Sequence, residues 1–209
     1  MNIAGTDISE YVEILELMES HSSNITGYEI NISCPNVKKG GMEFGVDCDM
    51  TSKLTEELRK ITDRLLIMKL SPNVSDIVSI GKACQDAGAD AVSAINTVVG
   101  MSIDAKSGKS NIFTTYGGLS GPAIKPIGLA AVNKLYNSLS IPIIGMGGIV
   151  SSSDVAEYIL AGSTSVQVGT ANFRNPGTGE DLIDMINTYV GESNWKSLDE
   201  MIGKVKTHN

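Results

Sequence analysis

Short apolar runs alternate with longer amphipathic segments from one end of the chain to the other. The apolar runs predict strands at Asn2–Ala4, Tyr28–Ile32, Leu66–Leu70, Ala91–Ile95, Pro142–Gly145 and Ser165–Val168. Between them, apolar positions recur at helical spacing. They predict helices over Ile8–Ser20, Met50–Asp63, Ser75–Ala87, Pro122–Asn137 and Ser152–Ala161, one from Thr178 or Glu180 to Val190, and a short one within Lys196–Val205. Thr6 or Asp7 is placed to cap the first helix. Asn96–Gly118 reads as a long loop. Strands such as LLIMKL (65–70) and IPIIGM (141–146) are continuously apolar rather than alternating. That is the pattern of parallel strands covered by helices. Each crossover contains a helix, as parallel pairing needs.

Six βα units fit a doubly wound sheet, or a (β/α)8 barrel of which two units are missing. The glycines decide between them. A nucleotide-binding doubly wound sheet usually carries G-x-G-x-x-G after its first strand, and Asn2–Gly5 carries nothing of the kind. Instead Gly147 and Gly148 follow the fifth strand, and Gly169 and Thr170 follow the sixth. In barrels the loops after strands 7 and 8 form the usual phosphate site. Small residues there let backbone N–H groups approach phosphate oxygens. The expected fold is an incomplete TIM barrel, a single domain over residues 1–209 whose first strand stands where a full barrel has its third.

Charge and composition narrow the chemistry. Sixteen Lys and Arg against 24 Asp and Glu give a net charge of −8, which excludes a non-specific nucleic-acid binder. The most apolar stretch, 141–146, is far short of the ~20 residues of a membrane span, and the N-terminus shows no secretory pattern. A cytoplasmic, membrane-free protein is expected. The cysteines are Cys34, Cys48 and Cys84, with no C-x-x-C, so this chain is expected to hold no metal or iron–sulfur cluster. His21 and His208 neighbour no glycine loop. Acid–base work therefore falls to Cys, Ser, Lys, Tyr or a carboxylate.

The densest polar constellation, Asn31-Ile32-Ser33-Cys34-Pro35-Asn36, lies at the carboxyl end of a strand, the catalytic edge of this architecture. It sets two amides around a thiol, and amides offer both a donor and an acceptor to a planar heterocycle. VKKGGMEFG (37–45) follows as a cationic, glycine-rich lid. Cys84 reads as a small buried apolar group on a helix, and Cys48 as a loop residue. Lys69 sits inside an apolar strand, which is costly unless it is paired. An anionic cofactor, a carboxylate or a solvent-reaching stem each answers that. Asn96 and Thr97 close a strand on the same rim, and Gly121 in GGLSGPAIK permits close backbone approach.

NISCPNVKKGG, KLSPN, AINT, GGLSGPAIKP, IIGMGGI and VGTANF occur in this order across the chain. With them the chain resembles the class 1 dihydroorotate dehydrogenases, most closely the class 1B catalytic subunit. The resemblance implies a (β/α)8 barrel with FMN at its mouth, oxidising dihydroorotate to orotate in pyrimidine biosynthesis. It implies Cys34 as the base that removes the C5 proton, and Asn31, Asn36, Asn96 and Thr97 as substrate ligands. Asn2, Asn31, Lys69, Ile95 and Gly121 would contact the flavin, and Gly147, Gly148, Gly169 and Thr170 its phosphate. It also implies a homodimer of catalytic subunits and a partner subunit that carries FAD and an iron–sulfur cluster and uses NAD. Against that family, the first two strands, with a Lys and an Asn of the site, are expected to be missing. Two alternatives stand beside this reading: a non-catalytic remnant of such an enzyme, and another Cys-dependent flavin barrel, such as a domain of dihydropyrimidine dehydrogenase.

Overall fold

The computed structural model describes residues 1–21, 24–33 and 44–206. Along the chain run β1 (Asn2–Ile3), α1 (Ile8–His21), β2 (Gly27–Asn31), α2 (Cys48–Arg59), β3 (Leu65–Leu70), α3 (Ile77–Asp86) and β4 (Ala91–Ala94). Next come four short strands, β5 (Val98–Met101), β6 (Ile103–Asp104), β7 (Lys109–Ser110) and β8 (Tyr116–Leu119). The remainder is α4 (Lys125–Tyr136), β9 (Ile143–Met146), α5 (Ser152–Ala161), β10 (Ser165–Gln167), α6 (Ala171–Arg174), α7 (Thr178–Glu192) and α8 (Leu198–Met201). Asp47 and Asp76 cap α2 and α3 by accepting from Met50 N and Val78 N, and Ser151 and Asp154 form a capping box on α5. At α1, Asp7 accepts from Glu10 N at 3.0 Å.

β1-β2-β3-β4-β9-β10 form one sheet, parallel throughout. The order follows the chain without reversal. A doubly wound sheet would reverse at a switch point; a barrel does not. The sheet also curls. Gln167 on β10 donates to Glu29 on β2 at 2.8 Å, although four strand spacings separate them. In a flat sheet those strands would lie about 19 Å apart. The predicted partial (β/α)8 barrel is the observed architecture.

The two faces of the sheet do different things. Tyr28 and Ile30 on β2 and Leu66, Met68 and Leu70 on β3 are fully buried. They share one core with Tyr11 and Leu15 of α1, Leu54 and Leu58 of α2, Val132 and Leu135 of α4, and Ile159 of α5. The intervening residues, Glu29 and Asn31 on β2 and Ile67 and Lys69 on β3, are only half-buried and face inward. Burial in β3 thus alternates, where the apolar run predicted cover on both faces. Lys69 stands on the inner face, outside the helix-side core.

Three local expectations need correction. Asn96–Gly118 is no plain loop: β5 pairs antiparallel with β8, and β6 with β7, as a protruding ribbon. Its strands are short and broken by glycine, VVGM in β5 and YGGL in β8, and lack the longer apolar runs that marked the barrel. α2 ends at Arg59 rather than Asp63. The Arg59 guanidinium turns back to donate to the carbonyls of Thr62 and Arg64 and pairs with Asp90 at 2.8 Å, so the chain leaves the helix there. Cys48 is the first residue of α2, brought into the helix by the Asp47 cap.

The register of β3 is testable at two adjacent residues. Leu66→Ala removes a fully buried side chain and should lower unfolding free energy by about 2–5 kcal/mol. Leu65, 50% exposed, should tolerate Ala within about 0.5–1 kcal/mol. Urea denaturation of both variants reads the difference; equal losses would contradict the alternation.

Candidate functional site

A cleft of about 200 Å³ opens at the carboxyl ends of β3, β4, β9 and β10. Among the candidate residues, Lys69, Ile95, Asn96, Thr97, Gly121, Gly147, Gly148, Gly169 and Thr170 all line it. They come from strand ends and loops as far apart in the chain as residues 69 and 170, and the curl of the sheet is what gathers them. Asn31 joins at the edge through Asn96. Asn2 is not a lining residue; its amide is taken by Glu29. Cys34 and Asn36 lie outside the described residues, as does most of the 37–45 segment. Cys34 follows Ser33 directly in the chain, just past the end of β2.

Beneath the cleft the inner face is tied together by Glu29. One carboxylate oxygen accepts from Ser93 Oγ at 2.7 Å and Gln167 Nε2 at 2.8 Å; the other accepts from Asn2 Nδ2 at 2.6 Å. β1, β2, β4 and β10 thus meet at one side chain. Sequence reading missed Glu29, although the reasoning that drew attention to Lys69, a charge inside an apolar strand, applies to it equally.

Two asparagines have their orientation set by the backbone. Asn96 Oδ1 accepts from Thr97 N at 2.8 Å, and Asn31 Oδ1 accepts from Ser33 N at 3.2 Å. A backbone N–H can only donate, so both amides are fixed with the carbonyl end occupied. Asn96 Nδ2 also donates to Asn31 Oδ1 at 2.9 Å. What remains, at the rim, is N–H from both residues. Such a pair recognises acceptor oxygens. Tyr11 Oη holds the strand end by donating to Asn31 O at 2.7 Å. Asn73 holds the next loop, donating to Thr97 O at 3.0 Å and accepting from Val99 N at 2.9 Å. Neither role was legible in the sequence.

The opposite wall is the glycine loop after β9, and residues from the outer helices fasten it. Tyr158 Oη of α5 lies 2.7 Å from Gly147 O and 3.1 Å from Met146 O and shares its one proton between them. Burial, then the nearby Asp154 and Glu157 carboxylates, pushes that phenol well above its ordinary value, so it remains a donor. Asp154 accepts from Val150 N and Ser151 N, both at 2.9 Å, and pairs with Lys125 Nζ at 2.6 Å. Burial opposes the charged carboxylate, but Lys125 and the N–H and hydroxyl donors of Val150 and Ser151 outweigh it and hold the carboxyl below its ordinary range. Gly148 has φ +75, and a Cβ there would come 2.8 Å from Gly121 O. Gly169 has open space where its Cβ would stand. Its backbone is therefore open to a ligand.

Among the described residues that line the cleft, two are cationic, Lys69 and Arg174, and none is acidic. In a chain of net charge −8, that is a local inversion of sign. The arrangement suits an anionic ligand with a phosphate at the glycine loops and acceptor oxygens near Asn31 and Asn96. These features fit a flavin mononucleotide. Cys84, by contrast, is buried on α3, with its thiol pushed up to about 12 by burial; it takes no part. Among the described residues no group of His, Cys, Asp and Glu could hold a metal, and no helix is long and apolar enough to cross a membrane.

A family profile described as "Dihydroorotate dehydrogenase" matches residues 1–190. The catalytic subunit of dihydroorotate dehydrogenase B (NAD(+)) from Malacoplasma penetrans is 44% identical over 203 residues, 97% of this chain and 66% of that protein. This chain therefore spans just under two thirds of that relative's length. The same subunit from Porphyromonas gingivalis is 43% identical over 210 residues, 100% of this chain and 68% of that protein. Among solved structures, DHODH from Eimeria tenella in complex with ferulenol aligns with a TM-score of 0.77 at 21% identity, covering 94% of this chain and 57% of that one. At that identity the likeness is one of fold.

Two measurements probe how the loop is fastened. Tyr158→Phe removes the hydroxyl donor from Gly147 O and leaves Met146 O with Ile95 N alone, and should destabilise the chain by about 1–2 kcal/mol, read by urea denaturation. Asp154→Asn probes the charge. A depressed carboxyl contributes stability that is present above its unfolded pKa of about 3.9 and is lost as pH falls through the lower folded value. The wild type should therefore melt above the variant at neutral pH, and the gap should close as pH drops below about 4. A gap that persisted at about pH 2 would sever Asp154 from that role.

Proposed function

The chain belongs to the dihydroorotate dehydrogenase family, and from that premise we propose that it carries out the FMN-dependent oxidation of dihydroorotate to orotate, a step of pyrimidine biosynthesis. The observation that carries the proposal is the cleft itself: acid-free, cationic at Lys69 and Arg174, with fixed amide donors at one side and open glycine backbone at the other. Bound there, FMN supplies the acceptor for the hydride that leaves C6 of the substrate.

The chain's own residues do the rest. Cys34 is the proposed base. As thiolate it takes the proton from C5, so that proton and hydride leave adjacent carbons and the ring gains its double bond. A thiol titrates nearer neutrality than Lys or Tyr, with an ordinary pKa of ~8.5, and cationic neighbours favour the thiolate. Asn31 and Asn96 donate to substrate oxygens through the N–H groups the fold leaves uncommitted, with Asn36 and Thr97 completing the set. Lys69 and Ile95 meet the flavin ring, and Asn2 supports that wall through Glu29. Gly121, Gly147, Gly148, Gly169 and Thr170 supply close backbone approach to the ribityl chain and phosphate.

The printed names of the relatives, catalytic subunits of an NAD(+)-linked enzyme, support a wider reading. In it the catalytic chain hands electrons to a partner subunit that reduces NAD; the homodimer of catalytic chains, and the FAD and iron–sulfur cluster on the partner, are proposed from the resemblance of the sequence motifs alone. A cytoplasmic setting fits the free thiols of Cys48 and Cys84.

The direct test is to load the protein with FMN and add dihydroorotate without oxygen. Rapid bleaching of the flavin absorbance is expected, and its absence in the loaded protein would overturn the proposed activity. Cys34→Ser should slow bleaching at neutral pH by about 10²-fold or more, with partial recovery at high pH. For the phosphate loops, Gly169 is the better probe than Gly148, where any side chain would strain the backbone. Gly169→Val projects into open space, so it should weaken FMN about tenfold or more and leave riboflavin little changed.

A further inference from the structure

Lys125 packs against the glycine loop: a Cβ on Gly148 would come 3.0 Å from Lys125 Cβ. Its charge is spent elsewhere, on Asp154 at 2.6 Å and Glu157 at 2.9 Å. A phosphate dianion at Gly147, Gly148, Gly169 and Thr170 would then meet backbone N–H groups and the Thr170 hydroxyl but no positive charge, unless another cation reaches it. Arg174 lines the cleft on that side. Among the described residues it forms no ion pair. Asp181 lines an adjoining hollow together with Arg174; one of its oxygens accepts from Asn175 Nδ2 at 2.8 Å, and it forms no ion pair with Arg174.

The position of Arg174 is also determined by the loop it would serve. Asn172 N donates to Gly169 O at 3.0 Å and Phe173 N to Thr170 O at 3.1 Å. Asn172 Nδ2 donates to Val168 O at 2.8 Å. α6 is thus wound directly on Gly169 and Thr170, and the guanidinium rises from its last residue.

We propose that Arg174 is a phosphate clamp, a charged ligand that the glycine loops lack, and that it sets the preference of this cleft for a phosphorylated flavin over the free riboflavin. The proposal rests on the flavin reading given above. A planar fork of N–H donors matches phosphate oxygens in pairs, and no acidic residue lines the cleft among the described residues to compete for it there. Because the guanidinium is exposed, its attraction is screened by salt.

The test is equilibrium binding of FMN and of riboflavin to the full 209-residue chain, followed by flavin fluorescence at low and high salt. It compares wild type, Arg174→Gln and Arg174→Lys. The side chain is exposed and unpaired, so both variants should fold; thermal melts check this. The expected result for Arg174→Gln is about tenfold weaker FMN binding, a flatter salt dependence and unchanged riboflavin binding, with Arg174→Lys in between. A wild type that prefers FMN beside a glutamine variant that keeps both the preference and the salt dependence would overturn the clamp and leave the flavin reading standing. A wild type that binds the two flavins equally would overturn the clamp alone, and one that binds neither would overturn both.

Discussion

One carboxylate holds the inner face of this barrel in shape. Glu29 accepts from Asn2, Ser93 and Gln167, so strands at opposite ends of the sheet meet at a single side chain. Backbone pairing alone would allow a flatter sheet, with β2 and β10 apart and the glycine loops remote from Asn31. The short bonds to Glu29 hold that curvature. Replacing one donor would leave a half-buried carboxylate short of a partner, which is costlier than the bond itself. The cleft exists where it does because this inner polar network closes the curve.

The helix-side core does a separate job. Tyr11, Leu15, Leu54, Leu58 and their neighbours bury the outer face and supply most of the favourable burial. Certain residues cross from that layer to the cleft. Tyr11 and Tyr158 are fully buried, yet each sends its hydroxyl to a backbone carbonyl at the rim, Asn31 O in one case and Gly147 O in the other. An aromatic ring suits this task, because its body packs as an apolar group while its tip donates. The rim is therefore held by the most rigid part of the molecule, as a site that must orient a planar ligand requires.

Charge is distributed with equal economy. Acidic side chains are in excess over the molecule, yet none lines the cleft among the described residues. Asp154 and Glu157 come near but are both bound to Lys125, which offsets one of their two charges. Lys69 and Arg174 remain as uncancelled positive charge on an acidic background. Low-dielectric walls concentrate such a field, so the cleft draws anions although the protein as a whole repels them.

Much of this was legible in the residues themselves. Unbroken apolar runs of strand length, separated by helical periodicity, determine a parallel α/β class, since no other arrangement buries both kinds of face. Gly147 and Gly148 after one strand and Gly169 after the next pointed to a barrel and to its phosphate end, because a missing Cβ is a property of the residue alone. Six motifs in order carried the family. The ribbon between Asn96 and Gly118 escaped, because its strands are short and broken by glycine, and their apolar residues Val99 and Met101 face solvent rather than a core. The joint role of Glu29 and Gln167, the donor sense of Asn31 and Asn96, and the difference between a spent Lys125 and an unspent Arg174 were decided only by tertiary structure. Glu29 and Gln167 are 138 residues apart in the chain, and no local pattern records that they will touch. Whether a polar side chain is a ligand or a brace depends on which partners the fold brings to it, and that is settled only when the sheet curls.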